Sequence, residues 1–192
     1  MKGKIFVISA PSGTGKTTIQ RLLLKAMPSL KSVITCTTRK PRNGEKNGVD
    51  YKFLTEKDFE EKIKNGEFLE YANVYGNFYG TPKKEVIEKL SKGENVLLVI
   101  DTQGGMNVKR IFPDAVLIGI LPPSIKEQEK RLRKRGDVSE EEIRKRLEAA
   151  KNERKTLLKY YNYRVINKEI GKTVEKIRKI VEKHLKRGLK NE

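Results

Sequence analysis

The sequence predicts an α/β fold: a parallel sheet flanked by helices, carrying a small mixed-β insertion and a separate helical segment. Three observations carry that expectation. Ile5-Phe6-Val7-Ile8, Val96-Leu97-Leu98-Val99-Ile100 and Val116-Leu117-Ile118-Gly119-Ile120-Leu121 are near-continuous apolar runs, as required of strands buried on both faces of a parallel sheet. Segments with apolar residues at helical spacing separate them. From Thr35 to Pro82 the pattern changes to short aromatic-rich stretches punctuated by Asn43-Gly44, Asn47-Gly48, Asn65-Gly66 and Tyr75-Gly76-Asn77, the signals of tight turns between short strands.

Taken in order, the run Ile5 to Ala10 follows Lys2 and Lys4, an arrangement that superficially suits a secretory leader. It is shorter than the roughly 7–15 apolar residues of a leader core and runs straight into Pro11-Ser12-Gly13-Thr14-Gly15, so it reads as a strand. A helix from Lys16 to Ala26 follows, with Ile19, Leu22 and Leu23 on one face. Inside the insertion, Glu56 to Lys64 forms a short helix capped by Thr55. Ser124-Ile125-Lys126-Glu127 has capping-box spacing and opens a helix that should stop at Gly136; Ser139-Glu140-Glu141-Glu142 opens another. Arg164 to Ile166 reads as the last strand, before a basic helix with Val174, Ile177, Ile180, Val181 and Leu185 on one face. No repeat or low-complexity linker interrupts the chain. One domain over residues 1–192 is expected, with a core of 1–34, 83–123 and 156–192, an insertion of 35–82 and a helical segment of 124–155.

Composition sets the outer bounds. A chain of 192 residues with 36% hydrophobic and 35% charged side chains is long enough for one packed core and suits a soluble protein. No apolar run approaches the roughly 20 residues that cross a bilayer. A single cysteine, Cys36, excludes an intramolecular disulfide and a multi-cysteine zinc site, and points to a reducing, cytoplasmic setting. The net charge is +18. Residues 124–192 hold 23 basic and 12 acidic side chains, so the carboxyl third is disproportionately basic. That balance predicts attraction to nucleic acid, anionic lipid or nucleotides without choosing among them. The one histidine, His184, lies far from every motif and reads as a packing or surface residue.

Ala10-Pro11-Ser12-Gly13-Thr14-Gly15-Lys16-Thr17 fits the phosphate-loop pattern, with Ala10 where a glycine is usual. Glycines let successive backbone N–H groups turn inward around a phosphate. Lys16 reaches the outer oxygens, and the Thr17 hydroxyl suits magnesium. The helix opening at Lys16 points its positive end at the same place. A GTPase, ATPase, helicase or small-molecule kinase would all suit this loop.

Further along, Arg39 and Arg42 flank Pro41, with Tyr51 beyond a turn, so two planar forks and a phenol can converge on one phosphate. On spacing alone, solvated loop arginines fit equally well. The string Thr-Cys-Thr-Thr-Arg-Lys-Pro-Arg-Asn-Gly-Glu-Lys-Asn-Gly-Val-Asp-Tyr over residues 35–51, however, resembles the guanylate kinase family, whose members carry T-T-R-x-P-R-x-G-E-x-x-G-x-x-Y. The resemblance continues through Phe68-Leu69-Glu70-Tyr71-Ala72, Asn77-Phe78-Tyr79-Gly80-Thr81, Ile100-Asp101-Thr102-Gln103-Gly104, Arg131-Leu132-Arg133-Lys134-Arg135-Gly136 and Lys145-Arg146-Leu147.

The resemblance implies transfer of the γ-phosphoryl of ATP to GMP with Mg2+, in purine nucleotide metabolism. It makes 35–82 a GMP-binding insertion and 124–155 a lid. Arg39, Arg42, Tyr51 and Tyr79 would hold the GMP phosphate, with Thr35, Glu70 and Thr81 around the base. Asp101 would serve the guanine, the magnesium or both; Val99 stands where members often carry another acid. Ala10 through Thr18 would hold ATP, with Arg131 and Asn167 on the adenine side and Thr17 at the metal. Lys16, Arg39, Arg135 and Arg146 would act on the transferring phosphoryl group. Asn167 also suits a cap of the terminal helix, and the arginines of 124–155 also suit a solvated basic helix pair. Chemistry supports Glu70, because one carboxylate accepts the adjacent N1–H and N2–H of guanine and adenine lacks the first. A kinase of a ribose bisphosphate would keep the phosphate loop but not need Glu70. A non-catalytic interaction module would not need Lys16, Arg39, Arg42 and Arg135 intact. A nucleic-acid binder rests on charge alone, and no specific nucleic acid and no membrane is expected as a partner. Whether the chain forms a homo-oligomer is open.

Overall fold

In chain order the elements of the computed structural model are β1 (Ile5–Ser9), α1 (Lys16–Ala26), β2 (Leu30–Ser32), β3 (Cys36–Thr37), β4 (Lys52–Phe53), α2 (Glu56–Lys64), β5 (Phe68–Val74) and β6 (Asn77–Pro82). Then come α3 (Lys83–Ser91), β7 (Asn95–Val99), α4 (Thr102–Ile111), β8 (Val116–Leu121), α5 (Ile125–Arg135), α6 (Glu140–Tyr160), β9 (Tyr163–Ile166) and α7 (Ile170–Gly188). Residues 3–135 and 139–188 are described, apart from the side chains of Arg135 and of residues 187–188; Gly136, where the sequence ends the first lid helix, lies outside them.

The expected parallel sheet has the order β2-β7-β1-β8-β9, with every pairing parallel. Alternate residues of its central strand face opposite layers. Phe6 and Ile8 pack with Ile19 and Leu23 of α1 and with Val174, Ile177 and Val181 of α7. Ile5 and Val7 pack with Val86 and Leu90 of α3, Val108 of α4 and Leu157 of α6. Each such side chain, fully removed from water, contributes roughly 1.5–3 kcal/mol. His184 sits edge-on to Phe6 and Tyr163, with the Tyr163 hydroxyl 3.0 Å from its Nε2, so it is a packing residue. The three-residue edge strand β2 went unread in the sequence, because Leu30 is its one apolar residue and no alternation can form.

Residues 35–82 build a second, mixed sheet of order β4-β3-β6-β5. Phe59 of α2 anchors it, stacking on Phe68 and Phe78 with ring centroids 4.5 and 5.4 Å apart. The side chains of Thr55, Ser124 and Ser139 accept hydrogen bonds from the backbone N–H groups of Asp58, Glu127 and Glu142, as the capping patterns predict. Helix α6 runs unbroken into the core, where Leu157 and Tyr161 are buried. Among the described residues, no helix is long and apolar enough to cross a membrane.

This topology sets up the site. The loop after β1, Asp101 after β7, the helix pair after β8 and Asn167 after β9 all emerge at the carboxyl edge of one parallel sheet, where such sheets bind ligands.

Candidate active site

The loop between β1 and α1 depends on two glycines in the left-handed region, Gly13 at φ 79° and Gly15 at φ 93°, a conformation that side chains resist. Gly13 is also covered by α5: a Cβ there would meet Leu132 at 3.0 Å. Ala10 has no positive φ and its methyl is buried against Ile8 and Ile19, so alanine replaces the usual glycine without strain. Gly15 opens α1 with no side-chain cap, which leaves the first N–H groups of the helix to an incoming anion. The Thr14 hydroxyl is buried without a hydrogen-bond partner. The loop is held from behind by Gln128, which donates from Nε2 to the Ser12 carbonyl at 2.8 Å, and by Asn167, which donates from Nδ2 to the Thr14 carbonyl at 2.8 Å. Oδ1 of Asn167 accepts from the Thr173 hydroxyl at 3.0 Å rather than from a backbone N–H, so Asn167 ties the loop to α7 and does not cap that helix. Arg131, paired with Glu127, donates to the Asn167 carbonyl at 3.3 Å.

Lys16 is partly buried, and burial lowers its pKa against the opposing pull of Glu153 and Asp101. Burial likewise raises the pKa of Glu153, which Lys16 partly offsets. Oε2 of Glu153 is buried and without a hydrogen-bond partner. Asp101 caps α4, its Oδ1 accepting from the N–H groups of Gln103 at 2.7 Å and Gly104 at 3.0 Å. One lysine thus faces two acids at the loop.

A second cluster forms on the mixed sheet. Arg39 donates from Nη2 to both oxygens of Glu45 at 2.9 Å, and its guanidinium lies 5.5 Å from the Tyr51 ring centre and 5.8 Å from that of Phe53. Burial works against the Arg39 charge, but Glu45 and Tyr79 outweigh it and hold the pKa up. The Arg42 N–H donates to Glu45 at 2.7 Å, and the Tyr51 and Tyr79 rings meet edge-on. Glu45, which the sequence did not single out, therefore holds the Arg39 guanidinium and the Arg42 backbone, while Tyr51 and Tyr79 pack beside Arg39 and each other. Thr37 and Thr38 fix the loop to β6 through the backbone of Phe78. Thr35, by contrast, contributes its carbonyl to the N–H of Lys52 at 2.9 Å, joining β3 to β4.

Glu70 is 6% exposed, and the Thr81 hydroxyl donates to its Oε1. Its pKa is pushed up to about 7, by burial first and by Asp101 in addition, against the Thr81 hydrogen bond. Gly104 gives Glu70 its room: a Cβ there would overlap Oε2. The sign of the linkage follows. The folded chain holds this proton more tightly than the unfolded chain, whose value is near 4.5, so Glu70 favours folding below that value and the advantage is lost as pH rises through about 7. The difference corresponds to about 3 kcal/mol. Urea unfolding of the ligand-free protein at pH 5 and pH 8 should therefore show Glu70→Gln gaining stability relative to the parent as pH rises; parallel profiles would refute the assignment.

Above the loop, α6 supplies Arg146, 7% exposed, whose Nη2 pairs with Glu142 and whose Nη1 donates to the Ser12 hydroxyl at 3.4 Å. Its guanidinium lies 5.5 Å from the ring centre of Tyr75, at the tip of the β5–β6 hairpin. The backbone of Arg135 ends α5, and its side chain lies outside the described residues. Thr17 is exposed and Thr18 partly buried in the first turn of α1.

A magnesium ion is compatible with this donor set. Thr17 and Asp101 offer hard oxygens. Magnesium keeps water and substrate phosphates as ligands and takes one or two protein oxygens, so two such groups suit it.

The expected residues thus fall into two clusters at one edge, Lys16 with Asp101 and Arg146 at the loop, and Arg39, Arg42, Tyr51, Tyr79, Glu70 and Thr81 on the insertion. Glu153, Glu45, Gln128 and Tyr75 were missed. The Glu45 signal lay in the residues of the arginine loop itself, whereas Glu153 and Gln128 sit in charged helical stretches that offer no distinguishing pattern.

Comparison with known proteins bears on this arrangement. The sequence model of the family described as Guanylate kinase matches residues 2–184. A curated guanylate kinase of Fusobacterium nucleatum is 48% identical over 184 residues, 96% of this chain and 98% of its own length. One from Clostridioides difficile is 46% identical over 180 residues, 94% and 87% of the two chains. Among solved structures, guanylate kinase from Anaplasma phagocytophilum superimposes with a TM-score of 0.78 at 35% identity, covering 94% of this chain and 85% of that one.

Proposed function

The chain belongs to the guanylate kinase family, and from that premise we infer how its residues carry out the family's reaction. It transfers the γ-phosphoryl of ATP to GMP, giving ADP and GDP. The observation that carries the acceptor assignment is the buried Glu70 carboxylate, backed by Thr81 and given space by Gly104. Guanine presents two adjacent N–H donors to it. Adenine would leave the carboxylate buried and unpaired, a cost that rejects the wrong base strongly.

The Arg39, Arg42, Tyr51 and Tyr79 cluster receives the GMP phosphate, with Thr35 at the edge of the base pocket. Arg39 is held by Glu45 before the ligand arrives, so little conformational freedom is lost on binding. ATP lies on the other side, its phosphates wrapped by residues 10–18 and its adenine bordered by Arg131 and Asn167. Thr17 and Asp101 would hold Mg2+ together with the nucleotide phosphates, and the ion would supply charge neutralisation for the transfer.

The nucleophile is a GMP phosphate oxygen, largely dianionic at neutral pH if its second pKa lies near 6, and no general base is required. The chain's task is positioning and neutralisation. Lys16 meets the γ-phosphoryl oxygens at a place where the charges of Glu153 and Asp101 already act on it. Arg146, with Arg135, meets the same group from the lid, and closure excludes the competing acceptor, water. Buried, free Cys36 accords with a reducing cytoplasm.

A coupled ADP-release assay with ATP and magnesium against GMP, AMP, CMP, UMP and ribose phosphates should give turnover with GMP at least about a hundredfold above the others in kcat/KM. Absence of turnover with GMP would overturn the reading.

A further inference from the structure

The β5–β6 hairpin closes through Tyr75 and Gly76, with Val74 opposite Asn77. Both turn residues have positive φ, 53° for Tyr75 and 79° for Gly76, which is the two-residue turn that Asn-Gly or Gly-Gly adopts without strain. Among the described residues Tyr75 is the one non-glycine residue with positive φ, and an aromatic side chain is poorly suited to that backbone. Local propensity therefore argues against tyrosine here. What it gains lies across the cleft: its ring faces the Arg146 guanidinium at 5.5 Å.

Arg146 is a long side chain on a 21-residue helix, and its charge has few partners. Glu142 holds Nη2 from the same helix, Ser12 receives Nη1 at 3.4 Å, and Nε is buried without a hydrogen-bond partner. The remaining support is the π face of Tyr75. The residue is 37% exposed, yet burial raises the pKa of its phenol, with Glu153 adding to the rise and Arg146 opposing it.

We propose that Tyr75 is a positioning residue that holds Arg146 over the phosphate loop, so that the acceptor-binding insertion and the lid engage as one unit. The proposal rests on the assignment of Arg146 to the transferring phosphoryl group. A cation–π contact of this kind shifts an equilibrium by about 2- to 30-fold. Displacement of a catalytic group by about 1 Å costs up to 10²-fold in rate.

Tyr75→Asn tests it, because asparagine suits the turn and lacks the ring. The expected result is a melting temperature equal to or above that of the parent, KM for GMP within about twofold, and kcat lowered about fivefold to tenfold. Tyr75→Phe should restore kcat to within about twofold, since the ring face is retained. In an Arg146→Met background, which removes the cation, Tyr75→Asn should change kcat less than twofold, as expected of two residues acting through one contact. Unchanged kcat in Tyr75→Asn, equal losses in both backgrounds, or a loss of stability matching the loss of activity would each overturn the coupling. If Arg146→Met lowers kcat while Tyr75→Asn is silent, only the coupling fails. If Arg146→Met works at the parent rate, the role of Arg146 fails with it.

Discussion

Lys16→Met is expected to lower kcat for GMP phosphorylation by about 10²–10³-fold, the usual cost of removing one preorganised charge from a transition state. Affinity for GMP should stay within about twofold, because the acceptor cluster is built on the other sheet. The physical reason lies in the resting electrostatics. Burial lowers the pKa of Lys16, and Glu153 and Asp101 keep its charge in place. Phosphates entering the loop add the negative charge that this desolvated ammonium lacks, and the interaction is strong because little water screens it. Methionine preserves length and packing but offers no donor and no charge. Equilibrium binding of GMP followed by calorimetry, beside steady-state rates, separates the two effects. A parallel loss of GMP affinity would show that the two clusters are not independent.

Glu70→Gln should produce the next largest effect, a drop of about 10²-fold in kcat/KM for GMP and a marked fall in the preference for GMP over AMP. Glutamine keeps one acceptor but turns an amide donor toward one of guanine's N–H groups. The same change removes a carboxylate whose burial holds its pKa near 7, so above that pH the variant should be more stable while less active. Opposite movement of stability and activity is expected of a charge kept in place for its ligand and not for the fold. An unchanged GMP to AMP ratio would remove Glu70 from base recognition.

The legible parts of this chain are those whose signals are local. The glycine-rich string lies between an apolar strand and an amphipathic helix, and that strand and helix formed where expected. Thr55, Ser124 and Ser139 cap helices because a hydroxyl three residues ahead of an N–H acts within a single turn. Arg39 and Arg42 flank one proline, so their convergence on Glu45 is again a matter of a few bonds. Glu153 offered no such signal: it lies among Arg, Lys and Asn on a polar helix, where a solvated face is the ordinary expectation. The burial of its Oε2 follows from how α6 packs onto the rest of the fold. Tyr75 is the sharper case, since its local rule was broken: turn chemistry prefers asparagine, and the ring is explained by a partner 71 positions away on another element. Gly104 resembles an ordinary small residue near a helix start until Glu70, from the other sheet, occupies the space a side chain would take.

By itself the sequence determined the alternation of buried strands and amphipathic helices, the phosphate loop and the helix starts, because each depends on hydrogen bonds and periodicities spanning a few residues. The order of the strands, the rise in the Glu70 pKa, the facing of Lys16 by two acids and the meeting of hairpin tip with lid helix were decided by the tertiary structure. These depend on which side chains share a volume from which water is excluded. Desolvation is set by packing between distant segments, and no local pattern encodes it.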